Sequence, residues 1–287
     1  MMNFFQNKKG KLIARVYGGL GNQLFMYAAA KRLALKNNIP LKLDIHSGFE
    51  DDPFNRDYCL RHFDVHEEIA DPRESFVADN GEKRRYHARK INRFLPYRMK
   101  TYIEQQEAFE SRLLDLRVSG QLYLQGYWQD ERYFADIEQV IRRSFTITVP
   151  HDEENKLIAQ KIKGENAVCL HARRQNYVHA LPVEYYQKAI AYIVERVEDP
   201  HFYCFSDDPA WFNTLKLQHP FTIISHNSEE KNYEDLWLMQ QCRHYIIANS
   251  TFSWWGAWLN PDPGKIVVAP AQWGYDTAIP DSWVAME

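Results

Sequence analysis

HYIIANSTFSWWGAWLNPDPGKIVVAP (244–270) carries the reading of the fold. HYIIAN (244–249) is an apolar run too short for a helix, STFSWWGAWLN (250–260) has helical length, and KIVVAP (265–270) is a second short apolar run. A strand, a helix and a strand in that order predict a right-handed βαβ unit and a parallel sheet. The alternation continues upstream. Strand AVCLHAR (167–173) precedes helix PVEYYQKAIAYIVERV (182–197), and strand HFYCFSD (201–207) precedes a helix from Pro209. Strand FTIISH (221–226) and helix YEDLWLMQQC (233–242) complete the series.

The first half opens in the same way. KLIARVYG (11–18) leads through Gly18-Gly19-Leu20-Gly21 into the helical pattern NQLFMYAAAKRLALKNN (22–38), then strand IPLKLDI (39–45). Between about 50 and 150 the pattern is weaker, with helices predicted near 84–95 and 103–115 and a strand in QLYLQGYW (121–128). Pro150 and the polar cluster around 148–152 mark a boundary. The expected architecture is α/β and GT-B-like: two Rossmann-like domains, 1–150 and 151–287, facing a cleft.

Composition excludes several classes. The chain has 287 residues, 45% hydrophobic and 25% charged, with a net charge of -3, which argues against disorder and against nucleic acid as a partner. Aromatics at 14% are compatible with sugar binding, although most such rings belong in a core. Cys59, Cys169, Cys204 and Cys242 are scattered without a C-x-x-C pair, which disfavours a zinc or redox motif and fits reduced thiols. No signal peptide and no run of about 18 apolar residues is visible, so a cytoplasmic location is expected. Asn249-Ser250-Thr251 matches the glycosylation pattern, but incidentally if the chain never enters a secretory route. KRRYHARKINRFLPYRMK (83–100) is strongly basic, with Ile91, Phe94 and Leu95 able to share a helical face. The first reading is a solvated helix; the second is peripheral contact with an anionic membrane, near a lipid-linked acceptor on its inner face.

Ligands of open parallel sheets bind at the carboxyl ends of strands. Four such ends carry polar groups: His171-Ala172-Arg173-Arg174, Ser206-Asp207-Asp208, His226-Asn227-Ser228 and Asn249-Ser250-Thr251. Arg173 is the candidate to stabilise a leaving diphosphate, because a guanidinium fork binds two phosphate oxygens and keeps its charge. Ser250 and Thr251 stand where a strand turns into a helix and can bind an anion, or can simply cap that helix. Arg174 can bind phosphate or act as a structural ion-pair partner. Asp207 and Asp208 suit ribose hydroxyls or a guanine edge, or a helix cap. Asp235 can accept from a guanine edge, or be a first-turn charge. No D-x-D is present, so fixed cationic groups rather than a metal are expected to neutralise the leaving group.

Gly19-Leu20-Gly21 with Asp44 resembles a dinucleotide fingerprint, but Leu24 occupies the third glycine position. A glycine turn also admits another ligand close to the backbone, with Asn22 and Gln23 then facing the cleft; the alternative for Asn22 is a helix cap.

GGLGNQLFMYAAAKRLA (18–34), LHARRQNY (170–177) and DLWLMQQCRHYIIANSTFSWWGAWLN (235–260) together resemble the α-1,2-fucosyltransferase family, within the fucosyltransferases that share an H-x-R-R motif. GYWQDERYF (126–134) and FSDDPAWF (205–212) add to the similarity, which runs from about residue 13 to 270. The resemblance implies a GT-B fold, GDP-fucose as donor, inversion, no cofactor or metal, and the 2-hydroxyl of galactose as acceptor, in an oligosaccharide or lipid-linked glycan. By position it implies that His171 and Arg173 hold the donor, that Asn22 faces it, and that Ser250, Thr251 and Phe252 bind phosphate. Gln175-Asn176 departs from the family's Gly-Asp, and Asp130 stands where serine is common. The general base is not identified; His46, Asp44 and Asp130 are candidates. Another GDP-sugar donor, or a noncatalytic glycan- or nucleotide-binding module, are the alternatives.

Overall fold

The computed structural model describes residues 10–76, 81–105, 108–175, 178–273 and 279–287. The chain divides into two compact units, Met1–Thr146 and Ile147–Glu287.

The first unit contains β1 (Lys11–Arg15), α1 (Leu20–Asn37), β2 (Leu41–Asp44), β3 (Glu68–Ile69), α2 (Gly81–Asn92), β4 (Tyr102–Glu104), β5 (Gln121–Gln125) and α3 (Glu138–Ser144). Its sheet runs β3-β2-β1-β5-β4, with every pairing parallel. Leu12, Ile13 and Ala14 are buried in succession, the continuous apolar run of a strand covered on both faces.

The expected helix at 103–115 is absent. Tyr102, Ile103 and Glu104 instead pair with Tyr123, Leu124 and Gln125, and a 3₁₀ turn follows at Ser111–Leu113. Helical propensity in this stretch yields to burial of Tyr102 and Ile103 and to the Asn92 side chain, which accepts the Thr101 and Tyr102 amides at 2.7 and 3.1 Å. Gln106 and Glu107 lie outside the described residues.

The second unit contains α4 (Glu153–Lys163), β6 (Asn166–Ala172), α5 (Val183–Val194), β7 (Pro200–Ser206), β8 (Phe221–Ile224), α6 (Asn232–Gln241), β9 (His244–Ile246), α7 (Thr251–Trp258), β10 (Val267–Pro270) and β11 (Val284–Met286). The helix expected from Pro209 is a 3₁₀ helix, Pro209–Leu215. α4 and β11 were not anticipated. α4 buries Asn155, Ala159 and Ile162, a helical spacing that was legible.

All pairings in this sheet are parallel, in the order β11-β10-β9-β6-β7-β8. The chain starts in the middle at β6, builds outward through β7 and β8, then returns to the other side of β6 with β9. Strand order therefore reverses between β6 and β9. In such sheets the crevice outside the carboxyl ends of the two strands at the reversal is the ligand position. This is the Rossmann strand order, and with the parallel first unit it makes the fold α/β and GT-B.

Candidate active site

β6 ends in His171 and Ala172, and the chain leaves the sheet at Arg173. His171 is 5% exposed, and its Nδ1 is buried without a hydrogen-bond partner. Burial, assisted by the Arg173 guanidinium, pushes the imidazole pKa down to about 3, so the ring is neutral near pH 7. The Phe252 ring, from α7, lies 5.9 Å away. An unsatisfied buried nitrogen costs roughly 1–3 kcal/mol, and a bound ligand that pairs with it relieves that cost.

The two arginines of the motif have different surroundings. Arg173 Nη1 is 3.0 Å from Asp207 Oδ2, while its side chain remains 43% exposed. Arg174 Nη1 donates to the Leu181 carbonyl at 2.7 Å, and its guanidinium lies 4.5 Å from the centre of the Trp211 ring. Arg174 is thus held by a backbone carbonyl and an aromatic face; the ion pair weighed for it is not found among the described residues. Asp207, at the end of β7, also accepts the backbone amides of Arg174 at 2.8 Å and Gln175 at 3.0 Å. Its carboxylate shapes the loop that carries the arginines. Asp208 donates its amide to Ser206 Oγ at 3.0 Å, and its side chain makes no capping bond to the 3₁₀ helix that follows.

On the other side of the strand reversal, β9 passes through Asn249 to α7. The buried Asn249 donates Nδ2 to the His179 carbonyl at 2.9 Å. Ser250 occupies the N-cap position in extended conformation, yet its side chain makes no capping hydrogen bond. Its hydroxyl is not used as the plain cap that the sequence also allowed. Thr251 opens the helix, whose N-terminus carries roughly half a positive charge.

Asp235, in the first turn of α6, accepts from Asn227 Nδ2 at 2.7 Å. Burial raises its carboxyl pKa to about 6, against the lowering effects of Asn227 and His226. Asn227 is locked in turn by the fully buried Asn155, with contacts of 2.9 and 3.1 Å, and His226 Nε2 lies 2.8 Å from Asn155 Oδ1. Asn155 was missed by sequence reasoning. A polar residue on the buried face of the amphipathic α4 was the signal that could have found it.

In the first unit, Gly19 rather than Asn22 is the N-cap of α1. Asn22 Oδ1 accepts from Gln129 Nε2 at 2.9 Å. Gly18 has φ +75°, and an added Cβ would come within 3.2 Å of Asn22 Nδ2, so glycine permits both the turn and the close packing. Gln23 does not face outward. It is fully buried and donates to the Gly18 and Asp57 carbonyls, each at 2.8 Å, while accepting the Cys59 amide at 2.8 Å.

The base candidates also separate. Asp44 is fully buried and accepts from the His46 and Ser47 amides, Ser47 Oγ and the Tyr123 hydroxyl at 2.5–3.0 Å. Asp130 is 2% exposed and forms a forked pair with Arg132. His46 is exposed. Asp44 and Asp130 are thus built into the structure. Among the described residues no group of three or more His, Cys, Asp or Glu side chains is arranged to hold a metal ion.

The sequence model of glycosyl transferase family 11 matches residues 76–280. An alpha-1,2-colitosyltransferase of Escherichia coli is 32% identical over 306 residues, covering 96% of this chain and 99% of that protein. The O-antigen biosynthesis glycosyltransferase WbnK of Escherichia coli is 33% identical over 301 residues, covering 93% and 97%. The crystal structure of fucosyltransferase NodZ from Bradyrhizobium superposes with a TM-score of 0.53 at 12% identity, covering 88% of this chain and 94% of that one, a likeness of fold. With the parallel sheets and the H-x-R-R strand end already in place, these similarities show that the chain belongs to glycosyl transferase family 11.

Proposed function

We propose that the protein transfers L-fucose from GDP-fucose to the 2-hydroxyl of a galactose residue in a glycan acceptor, with inversion and without a metal. The observation that carries this reading is the pairing of His171 and Arg173 at the end of β6 with Ser250 and Thr251 after β9, on the two strands where the sheet order reverses. An unpaired buried imidazole nitrogen, a partly exposed guanidinium and a helix N-terminus whose Ser250 side chain makes no capping bond together suit a diphosphate. Phe252 packs against this group from α7. Asp235 supplies a half-buried acceptor for the guanine edge. Asp207 acts by holding Arg173 and its loop rather than by touching the nucleotide.

In the reaction the acceptor oxygen attacks the anomeric carbon from the face opposite GDP. The bond from that carbon to the β-phosphate oxygen breaks, and the electron pair stays on the diphosphate. Arg173 neutralises the growing charge, and the acceptor proton leaves to a base or to water. Family membership and the fucosyltransferase fold support a nucleotide-sugar donor and a glycan acceptor.

A second reading keeps the chemistry and changes the sugar, because the similar E. coli protein is a colitosyltransferase. A donor-by-acceptor matrix with the product linkage determined by NMR tests both. Transfer of fucose to the galactose 2-hydroxyl is expected; transfer from a colitosyl donor alone selects the second reading. Absence of any GDP-sugar turnover would leave a binding module.

A further inference from the structure

Residues 83–100 contain eight Lys and Arg and no Asp or Glu, in a chain whose net charge is -3. The inner side of α2 is accounted for. Arg89 pairs with Glu104 at 2.5 Å, and Arg84 donates to the Arg73 and Ser75 carbonyls at 3.0 and 2.9 Å. Arg85 lies 5.9 Å from the centre of the Phe76 ring, and Asn92 is buried against Thr101 and Tyr102.

The outer side carries a different set. Tyr86, Ile91, Phe94 and Met99 are 60, 62, 79 and 57% exposed, four large apolar side chains within one short segment. Lys83, Lys90, Arg93 and Arg98 stand among them, all exposed. Steps of three and four place Lys83, Tyr86, Lys90 and Phe94 in one stripe, the last just beyond the helix, where its amide still bonds to the Ile91 carbonyl at 3.2 Å. A cluster of this kind on a surface marks an interaction site. Its chemistry selects the partner. Protein interfaces place an apolar centre inside a polar rim, whereas here long cations alternate with apolar side chains along the same face. That alternation suits a lipid interface, where apolar groups enter the acyl boundary while Lys and Arg stems extend to the phosphates.

We propose that this face of α2 and the turn after it rests on an anionic lipid bilayer, with Tyr86, Ile91, Phe94 and Met99 in the headgroup layer and Lys83, Lys90, Arg93 and Arg98 against lipid phosphates. No helix among the described residues is long and apolar enough to cross a membrane, so the contact is peripheral. The inference is independent of which sugar the protein transfers.

The test is co-sedimentation of the full chain with vesicles of phosphatidylglycerol and phosphatidylcholine, beside vesicles of phosphatidylcholine alone. Binding to the anionic vesicles that weakens with added NaCl is expected. Each cation near such a surface contributes about fivefold in partition, so the double variant Lys90→Glu/Arg93→Glu should bind at least ~25-fold more weakly. The double variant Ile91→Ser/Phe94→Ser keeps every charge and should bind about tenfold more weakly through lost apolar burial. Both variants change exposed side chains, and an unchanged thermal midpoint confirms that they fold. No sedimentation at low salt overturns the proposal, as does equal binding to neutral vesicles or full binding by the charge-reversed variant. Full binding by the serine variant, matched by equal retention on immobilised polyphosphate, reduces the patch to an ion exchanger and overturns it too.

Discussion

Asp207 holds three groups of one loop at once: the Arg173 guanidinium at 3.0 Å and the backbone amides of Arg174 and Gln175 at 2.8 and 3.0 Å. Asp207→Asn preserves size but turns one acceptor oxygen into a donor facing another donor. The loss should be roughly 1–3 kcal/mol of stability, with a lower kcat because Arg173 is no longer held. Urea unfolding together with steady-state kinetics checks this. An unchanged unfolding midpoint would remove Asp207 from the positioning role.

Arg173 and Arg174 should respond differently to lysine. If Arg173 stabilises the departing diphosphate, Arg173→Lys should lower kcat by roughly 10²–10³, about 3–4 kcal/mol, while GDP still binds. Arg174→Lys should cost about 0.5–1 kcal/mol of stability through the Trp211 contact, with far milder effects on rate. kcat and GDP affinity of both variants decide. An Arg173→Lys enzyme that keeps more than about half of its kcat defeats the assignment.

His171 predicts a pH dependence of stability. Its folded pKa, about 3, lies below the ordinary 6.5, so between these values the unfolded chain binds the proton more readily. Stability associated with the neutral ring is fully present above about pH 6.5 and is lost progressively as pH falls toward 3. Unfolding midpoints at pH 7 and pH 5 should differ more for the native protein than for His171→Gln. Equal differences would count against a buried neutral imidazole.

Asp235 predicts a pH dependence of donor binding. Its carboxyl titrates at about 6, raised by burial, and only the ionised form accepts two hydrogen bonds from a guanine edge. Calorimetric GDP affinity should fall about tenfold between pH 7.5 and pH 5, and Asp235→Asn should bind weakly at both. A native affinity that is flat across this range sinks the guanine contact.

Transfer should survive excess EDTA, since fixed groups at 171–173 and 250–251 are proposed to do the work of a cation and the chain has no D-x-D. Activity lost to chelation and restored by Mn²⁺ or Mg²⁺ would refute metal independence.

The second unit was largely legible because its inner strands are buried on both faces. AVCLHAR and HFYCFSD appear as β6 and β7 within a residue or so. Their ends could be read for polar groups because strand interiors exclude them. What stayed hidden depends on distant partners. Gln23 looked available until its amide met residues 57 and 59, and Asp44 looked like a base candidate until Tyr123 reached it from β5. β4 required knowledge that Tyr123 lies beside Tyr102, and α4 was overlooked because its polar outer face resembled a linker.

Asp207 grips the amides of residues 174 and 175, and every residue except proline supplies such an amide. Loop shape and side-chain identity at 175 are therefore separable, because Asp207 at the end of β7 supplies the first. Gln175 is not among the residues with positive φ, so the conformation makes no demand for glycine there. Most side chains at position 175 should therefore leave the frame that Asp207 builds unaltered.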